Sequence, residues 1–137
     1  MRRSLGRSGK SRSRARVLVA EDEPINAKVV RALLSKSGHN VLVVDNGIAA
    51  LEMLSTNDFD LALLDVRMPG MTGIEVAKEV RARETNAGRH LAIVALTASA
   101  LSDVRDECLS AGMDDFLVKP IDPDSLDQLV ERVARLG

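Results

Sequence analysis

The chain has no tryptophan, no tyrosine and only two phenylalanines, Phe59 and Phe116, in 137 residues. Recognition of single-stranded nucleic acid by base stacking depends on aromatic platforms, so nucleic acid is not an expected ligand. Any core must be aliphatic. The single cysteine, Cys108, has no partner for an internal disulfide and no CxxC companion, which points to a reducing compartment. It reads as a small helix residue near the core. No apolar run approaches the roughly 18 residues of a membrane span, and no signal-peptide h-region is present, so a cytoplasmic location without a membrane span is expected. There is no His or Cys cluster to hold zinc. His39 and His90 fall in expected loops beside Gly or Arg and should be solvated.

What is present fits one globular domain, long enough to bury most of its unfolded surface without disulfides. The formal net charge of −1 conceals an asymmetry. Residues 1–16 hold seven basic residues and no acid, which leaves twelve basic residues against all twenty acidic ones, or about −8, in the remainder. Residues 1–15 are rich in Ser, Gly and Arg with few apolar side chains. They cannot bury enough surface to offset their ordering entropy and are expected to form a flexible basic arm or interdomain linker. Contact of that arm with nucleic acid or anionic lipid is the competing reading.

From Arg16 onward the pattern alternates strand and helix five times. Strands are expected at 16–20, 41–44, 61–64, 91–96 and 116–118, and helices at 24–36, 47–55, 73–83, 102–111 and from an Asp122 N-cap to about 136. In the first helix Ile25, Val29, Ala32 and Leu33 are expected to face the core. Repeated β-α units with short connections require a parallel sheet covered on both faces. The expected fold is therefore α/β, a single doubly wound (βα)5 flavodoxin-like domain over 16–137, with strand order 2-1-3-4-5.

In such a sheet the carboxyl ends of the strands share one edge, where ligands bind. Glu21 and Asp22 end the first strand, Asp65 the third, Thr97 the fourth and Lys119 the fifth. Hard oxygen ligands of this kind suit Mg²⁺, which takes one or two carboxylates and engages phosphate. Three carboxylates and one ammonium leave the pocket at a formal −2, and a divalent cation would bring it near zero. A phosphoryl group could then reach Asp65 as nucleophile and form an acyl phosphate, with Lys119 and Thr97 placed to bind its oxygens.

Glu21-Asp22, Leu64-Asp65-Val66-Arg67-Met68-Pro69-Gly70, Leu96-Thr97-Ala98 and Val118-Lys119-Pro120 resemble the motifs of receiver domains of two-component response regulators, over residues 16–136. The resemblance implies Mg-dependent acceptance of a phosphoryl group from a phosphohistidine onto Asp65. It further implies Mg²⁺ held by Asp22, Asp65 and the backbone carbonyl of Arg67, with Glu21 acting through water. A cis peptide before Pro120 and a switch made of Thr97 and Phe116 also follow from it. Partners would be a histidine kinase or a histidine phosphotransfer domain, with a homodimer possible through the face made by 102–111, 116–118 and 122–136. Catalysis would be limited to the domain's own phosphotransfer and dephosphorylation.

The phrases Glu21-Asp22-Glu23-Pro24-Ile25-Asn26 and Gly112-Met113-Asp114-Asp115-Phe116 are similar to receivers fused to hybrid histidine kinases, which would make the basic arm an interdomain linker. Glu23 stands where Asn is common, Arg67 where Gln or Asn is common, and Thr72 where Asp is usual. The first two would reach toward the attacking water and alter the phosphoryl lifetime. Two rival classes remain. A receiver-fold scaffold would act without phosphorylation, and an aspartyl phosphohydrolase would need a second acid where Arg67 stands.

Overall fold

A computed structural model describes residues 14–84, 90–99 and 101–136. The expected arm, apart from Arg14 and Ala15, lies outside them. Five strands and five helices alternate: β1 Arg16–Ala20, α1 Pro24–Lys36, β2 Asn40–Val44, α2 Gly47–Thr56, β3 Leu61–Asp65, α3 Gly73–Glu84, β4 Ala92–Thr97, α4 Ser102–Ser110, β5 Asp115–Val118 and α5 Pro123–Leu136. The strands form one parallel sheet in the order β2-β1-β3-β4-β5. β3 and β4 each run one residue further than the apolar pattern implies, so Asp65 and Thr97 are the last residues paired in the sheet.

Side chains alternate across a strand, and the core divides accordingly. Leu18, Ala62, Leu64, Ile93 and Ala95 pack beneath α2, α3 and α4. Val17, Val19, Leu61, Leu63, Val94 and Leu96 pack against Val30 and Leu34 of α1 and Leu126, Leu129 and Val130 of α5. Being covered on both sides, β3 is buried along its whole length. Among the described residues no helix is long and apolar enough to cross a membrane.

Two expectations fail. The core face of α1 is Val30 and Leu34 with Leu33 packed beside them, and not Ile25, Val29 and Ala32. Ile25 is 71% exposed and Val29 45%, Ala32 is exposed and Leu33 is half-buried. The helix carries apolar residues around more than half its circumference, so spacing alone allows either stripe. Second, His39 is not a solvated loop residue, because its Nδ1 accepts a hydrogen bond from the Ala15 amide at 3.0 Å and ties the start of the domain to β2. His90 is exposed, but its Nε2 lies 2.8 Å from Asp114 Oδ1. Cys108 is buried on α4, as expected, and burial pushes its thiol pKa up.

Side-chain caps fix the starts of α1, α2 and α3 beside the carboxyl edge of the sheet. Glu23 caps α1, its Oε1 accepting from the Ile25 and Asn26 amides at 3.0 Å, and Pro24 takes the position where a missing N–H costs nothing. Asn46 caps α2. Thr72 and Glu75 form a reciprocal capping box at α3. α4 differs, since its N-cap Leu101 has no side-chain bond to offer.

Candidate phosphoacceptor and metal site

The acids converge. Glu21, Asp22 and Asp65 each present a carboxylate oxygen within 4.8 Å of the others. β1 and β3 are adjacent in register, Ala20 opposite Leu64, so the residues that follow emerge side by side. Glu21 and Asp65 are buried, at 1% and 5% exposure, while Asp22 faces solvent. The site thus has a buried floor and an open side.

Asp65 is held from below. A Cβ on Gly73 would lie 2.3 Å from the Asp65 carbonyl oxygen, so only glycine lets α3 start this close to the strand end. A Cβ on Gly47 would fall 2.0 Å from the Met71 carbonyl, and this second close approach fixes the loop that follows Asp65. The side chain is oriented as well. Oδ1 accepts the Arg67 amide at 3.0 Å, and Oδ2 accepts from Lys119 Nζ at 3.0 Å.

Lys119 Nζ also stands 2.8 Å from Glu21 Oε1 and so bridges the two buried acids. The Lys119–Pro120 peptide is cis, as expected, at the end of β5. Desolvation and the neighbouring Glu21 raise the Asp65 pKa above its ordinary 3.8, although the Arg67 amide and Lys119 oppose them. Burial alone would lower the Lys119 pKa, but the Glu21 and Asp65 carboxylates outweigh it and raise the ammonium above its usual 10.5.

A divalent cation fits these donors. The ion pair leaves Glu21 Oε1 without a well-aligned hydrogen bond, although the atom is fully buried. A buried carboxylate oxygen in that state costs free energy. Its Oε2 accepts the Glu23 amide at 3.1 Å. Three clustered acids served by a single lysine are the hard, under-neutralised oxygen set that Mg²⁺ satisfies.

The other expected residues are placed less directly. The Thr97 hydroxyl is engaged with Ser99, donating to its carbonyl at 3.2 Å and accepting its amide at 3.1 Å. Thr97 is therefore at the edge but turned into its own turn. Phe116 is half-buried against the core beneath α4. Glu23, expected to reach toward an attacking water, is instead committed to capping α1. Arg67 is exposed, and its amide serves Asp65. The Thr72–Glu75 box was readable as T-x-x-E in the sequence, whereas the contact of Arg105 with Phe116 was not.

The sequence profile of the family described as the response regulator receiver domain matches residues 17–131. The sensor histidine kinase GacS of Pseudomonas protegens is 46% identical over 116 residues, which is 84% of this chain and 13% of that protein. The chain therefore spans only a small part of the length of such curated relatives. Among solved structures, the receiver domain of the sensor histidine kinase PA1611 from Pseudomonas aeruginosa, with a magnesium ion coordinated in its active-site cleft, is 38% identical at a TM-score of 0.79, covering 88% of this chain and 97% of that one. The receiver domain of Ssk1, crystallised with the Saccharomyces cerevisiae histidine phosphotransfer protein Ypd1, belongs to a structure that matches at 30% identity and a TM-score of 0.80, covering 85% of this chain and 86% of that one.

Proposed function

We propose, for a chain that belongs to the response regulator receiver domain family, that Asp65 accepts a phosphoryl group from a phosphohistidine and that this switches a protein-binding surface. The single observation that carries the assignment is the convergence of Asp65, Glu21, Asp22 and Lys119 on one strand edge. Asp22, Asp65 and the Arg67 carbonyl would hold Mg²⁺, with Glu21 acting through water. When bound, the ion supplies positive charge that offsets repulsion between three acids and an incoming phosphoryl dianion.

A carboxylate oxygen of Asp65 attacks phosphorus, and the P–N bond to the donor imidazole breaks. The ring nitrogen keeps that electron pair and takes a proton from water. Lys119, already 3.0 Å from Asp65 Oδ2, needs little movement to reach the transferred oxygens. The domain's own catalysis is this transfer and the later hydrolysis of the acyl phosphate, in which water attacks phosphorus, inorganic phosphate leaves and the Asp65 carboxylate is restored.

Donor docking is supported by apolar side chains around the site's rim. Ile25 and Val29 on α1 are exposed, as is Ile48 on α2, whose Cδ1 would lie 3.2 Å from a Cβ on Gly70. A histidine kinase or histidine phosphotransfer domain presenting a helix would cover them. Residues 16–137 form the receiver, and residues 1–15 link it to a neighbouring domain of a hybrid kinase. Output passes through the face of α4, β5 and α5, where Leu101, Leu109 and Val118 are exposed and a second copy is one possible occupant. Radiolabelled phosphorylated histidine phosphotransfer protein should pass its label to wild type and not to Asp65→Asn. Equal labelling of both proteins would refute the assignment.

A further inference from the structure

Arg105 is exposed on α4, yet its guanidinium carbon sits 5.0 Å from the centroid of the Phe116 ring. Helix geometry explains why the side chain is available. Surface neighbours on a helix lie three and four residues apart, and for Arg105 those positions are Leu101, Ser102, Cys108 and Leu109. None is acidic. The acids of α4 (Asp103, Asp106 and Glu107) fall at other spacings, and no ion pair of Arg105 occurs among the described residues. A cation so placed is drawn to the face of an aromatic ring.

The ring sits where a switch would need it. Phe116 is in register with Ala95, which lies two residues before Thr97 and so on the same sheet face. Thr97, Phe116 and α4 therefore meet on one side of the sheet. α4 itself is lightly fastened, with an uncapped N-terminus and Cys108 as its buried residue, which is the character expected of an element that moves.

We propose that Arg105 is a positioning residue for the phosphorylation switch, holding the Phe116 ring against α4 in the unphosphorylated state and releasing it when Thr97 turns toward the phosphoryl group. This rests on the assignment of Asp65, Thr97 and Phe116 made above. A cation–π contact at an exposed site corresponds to about a 2- to 5-fold change in the ratio of two states.

The two phenylalanines make the test simple, because fluorophenylalanine incorporation yields two fluorine resonances that Phe59→Leu assigns. With Mg²⁺ and the phosphoryl mimic beryllofluoride, the wild-type Phe116 signal should move. In Arg105→Ala the unliganded signal should begin partway toward that end point. Half-saturation should then need about 2- to 5-fold less beryllofluoride. Arg105→Lys keeps the cation and should fall between. The Phe59 signal and Mg²⁺ affinity should not change. Identical starting positions and half-saturation in wild type and Arg105→Ala, with Phe116 still responding, would overturn the role of Arg105 and leave the switch standing. A wild-type Phe116 signal that never moves would overturn the switch reading itself. Parallel changes at Phe59 and in Mg²⁺ affinity would make Arg105 a structural residue and end the proposal.

Discussion

Asp65 is costly to ionise where it stands. Burial and Glu21 raise its pKa above 3.8, so the folded protein binds this proton more tightly than the unfolded chain does. The stability contributed by such a group is fully present below the unfolded pKa and is lost as pH rises through the folded one. At neutral pH the ionised carboxylate is a net burden. Asp65→Asn should therefore raise the melting temperature in EDTA at pH 7, by roughly 4 °C if about 1 kcal/mol of strain is relieved. The gain should shrink toward pH 4. Thermal melts across that range check it, and a variant that melts lower at pH 7 would show that pairing with Lys119 outweighs repulsion.

Lys119 carries the opposite signature. Its raised pKa means a contribution held below pH 10.5 and lost as pH climbs through the higher folded value. Lys119→Ala should destabilise the metal-free protein, bind Mg²⁺ at least as tightly by calorimetry, and accept a phosphoryl group poorly. Weaker Mg²⁺ binding would mean that its charge is not felt at the site. Asp22, Asp65 and Lys119 were legible because an apolar run fixes where a strand ends and so which residue stands at its tip. The capping by Glu23 and the engagement of the Thr97 hydroxyl with Ser99 were not, since both depend on rotamers that no spacing encodes.

The elements divide the same way. Buried strands read plainly, because a sheet covered on both faces leaves a continuous apolar run such as Leu61–Leu64. The orientation of α1 did not, because exposed Ile25 and Val29 compete with buried Val30 and Leu34 in any periodicity. That surplus of exposed apolar surface is what misleads a reading built on burial, and it is the surface proposed above for donor docking. α3 and α4 are fastened differently. α3 is pinned through Gly73, and Gly73→Ala should cost about 1–3 kcal/mol in chemical denaturation by forcing Asp65 and α3 apart. An unchanged midpoint would mean that the close approach relaxes freely. α4 has no side-chain N-cap and buries only Cys108 fully, and the signal should pass through it. Thr97→Ala should still accept a phosphoryl group while losing most of a shift in partner affinity of about 5- to 150-fold. Amide exchange across 97–118 with beryllofluoride reports this, and identical responses in variant and wild type would remove Thr97 from the switch.

At the scale of the whole molecule, topology does the decisive work. The order β2-β1-β3-β4-β5 sets the tips of β1 and β3 side by side and brings Lys119 from β5 to within 3.0 Å of Asp65, across the end of β4. The β-α repeat makes the parallel sheet legible, and the acidic tips of β1 and β3 make that order legible, because it sets them side by side at the switch point. Mg²⁺ binds only where the three acids have been assembled, so it should stabilise the folded protein by about 2.7 kcal/mol at a hundred times its dissociation constant. The most direct measurement is intact mass after incubation with Mg²⁺ and acetyl phosphate, followed by borohydride reduction and peptide mapping. Wild type should gain the mass of one phosphoryl group, reduction should convert residue 65 to homoserine, and Asp65→Asn or omission of Mg²⁺ should abolish both. No adduct, an adduct that survives Asp65→Asn, or reduction at any other residue would contradict the assignment of Asp65 as the phosphoacceptor.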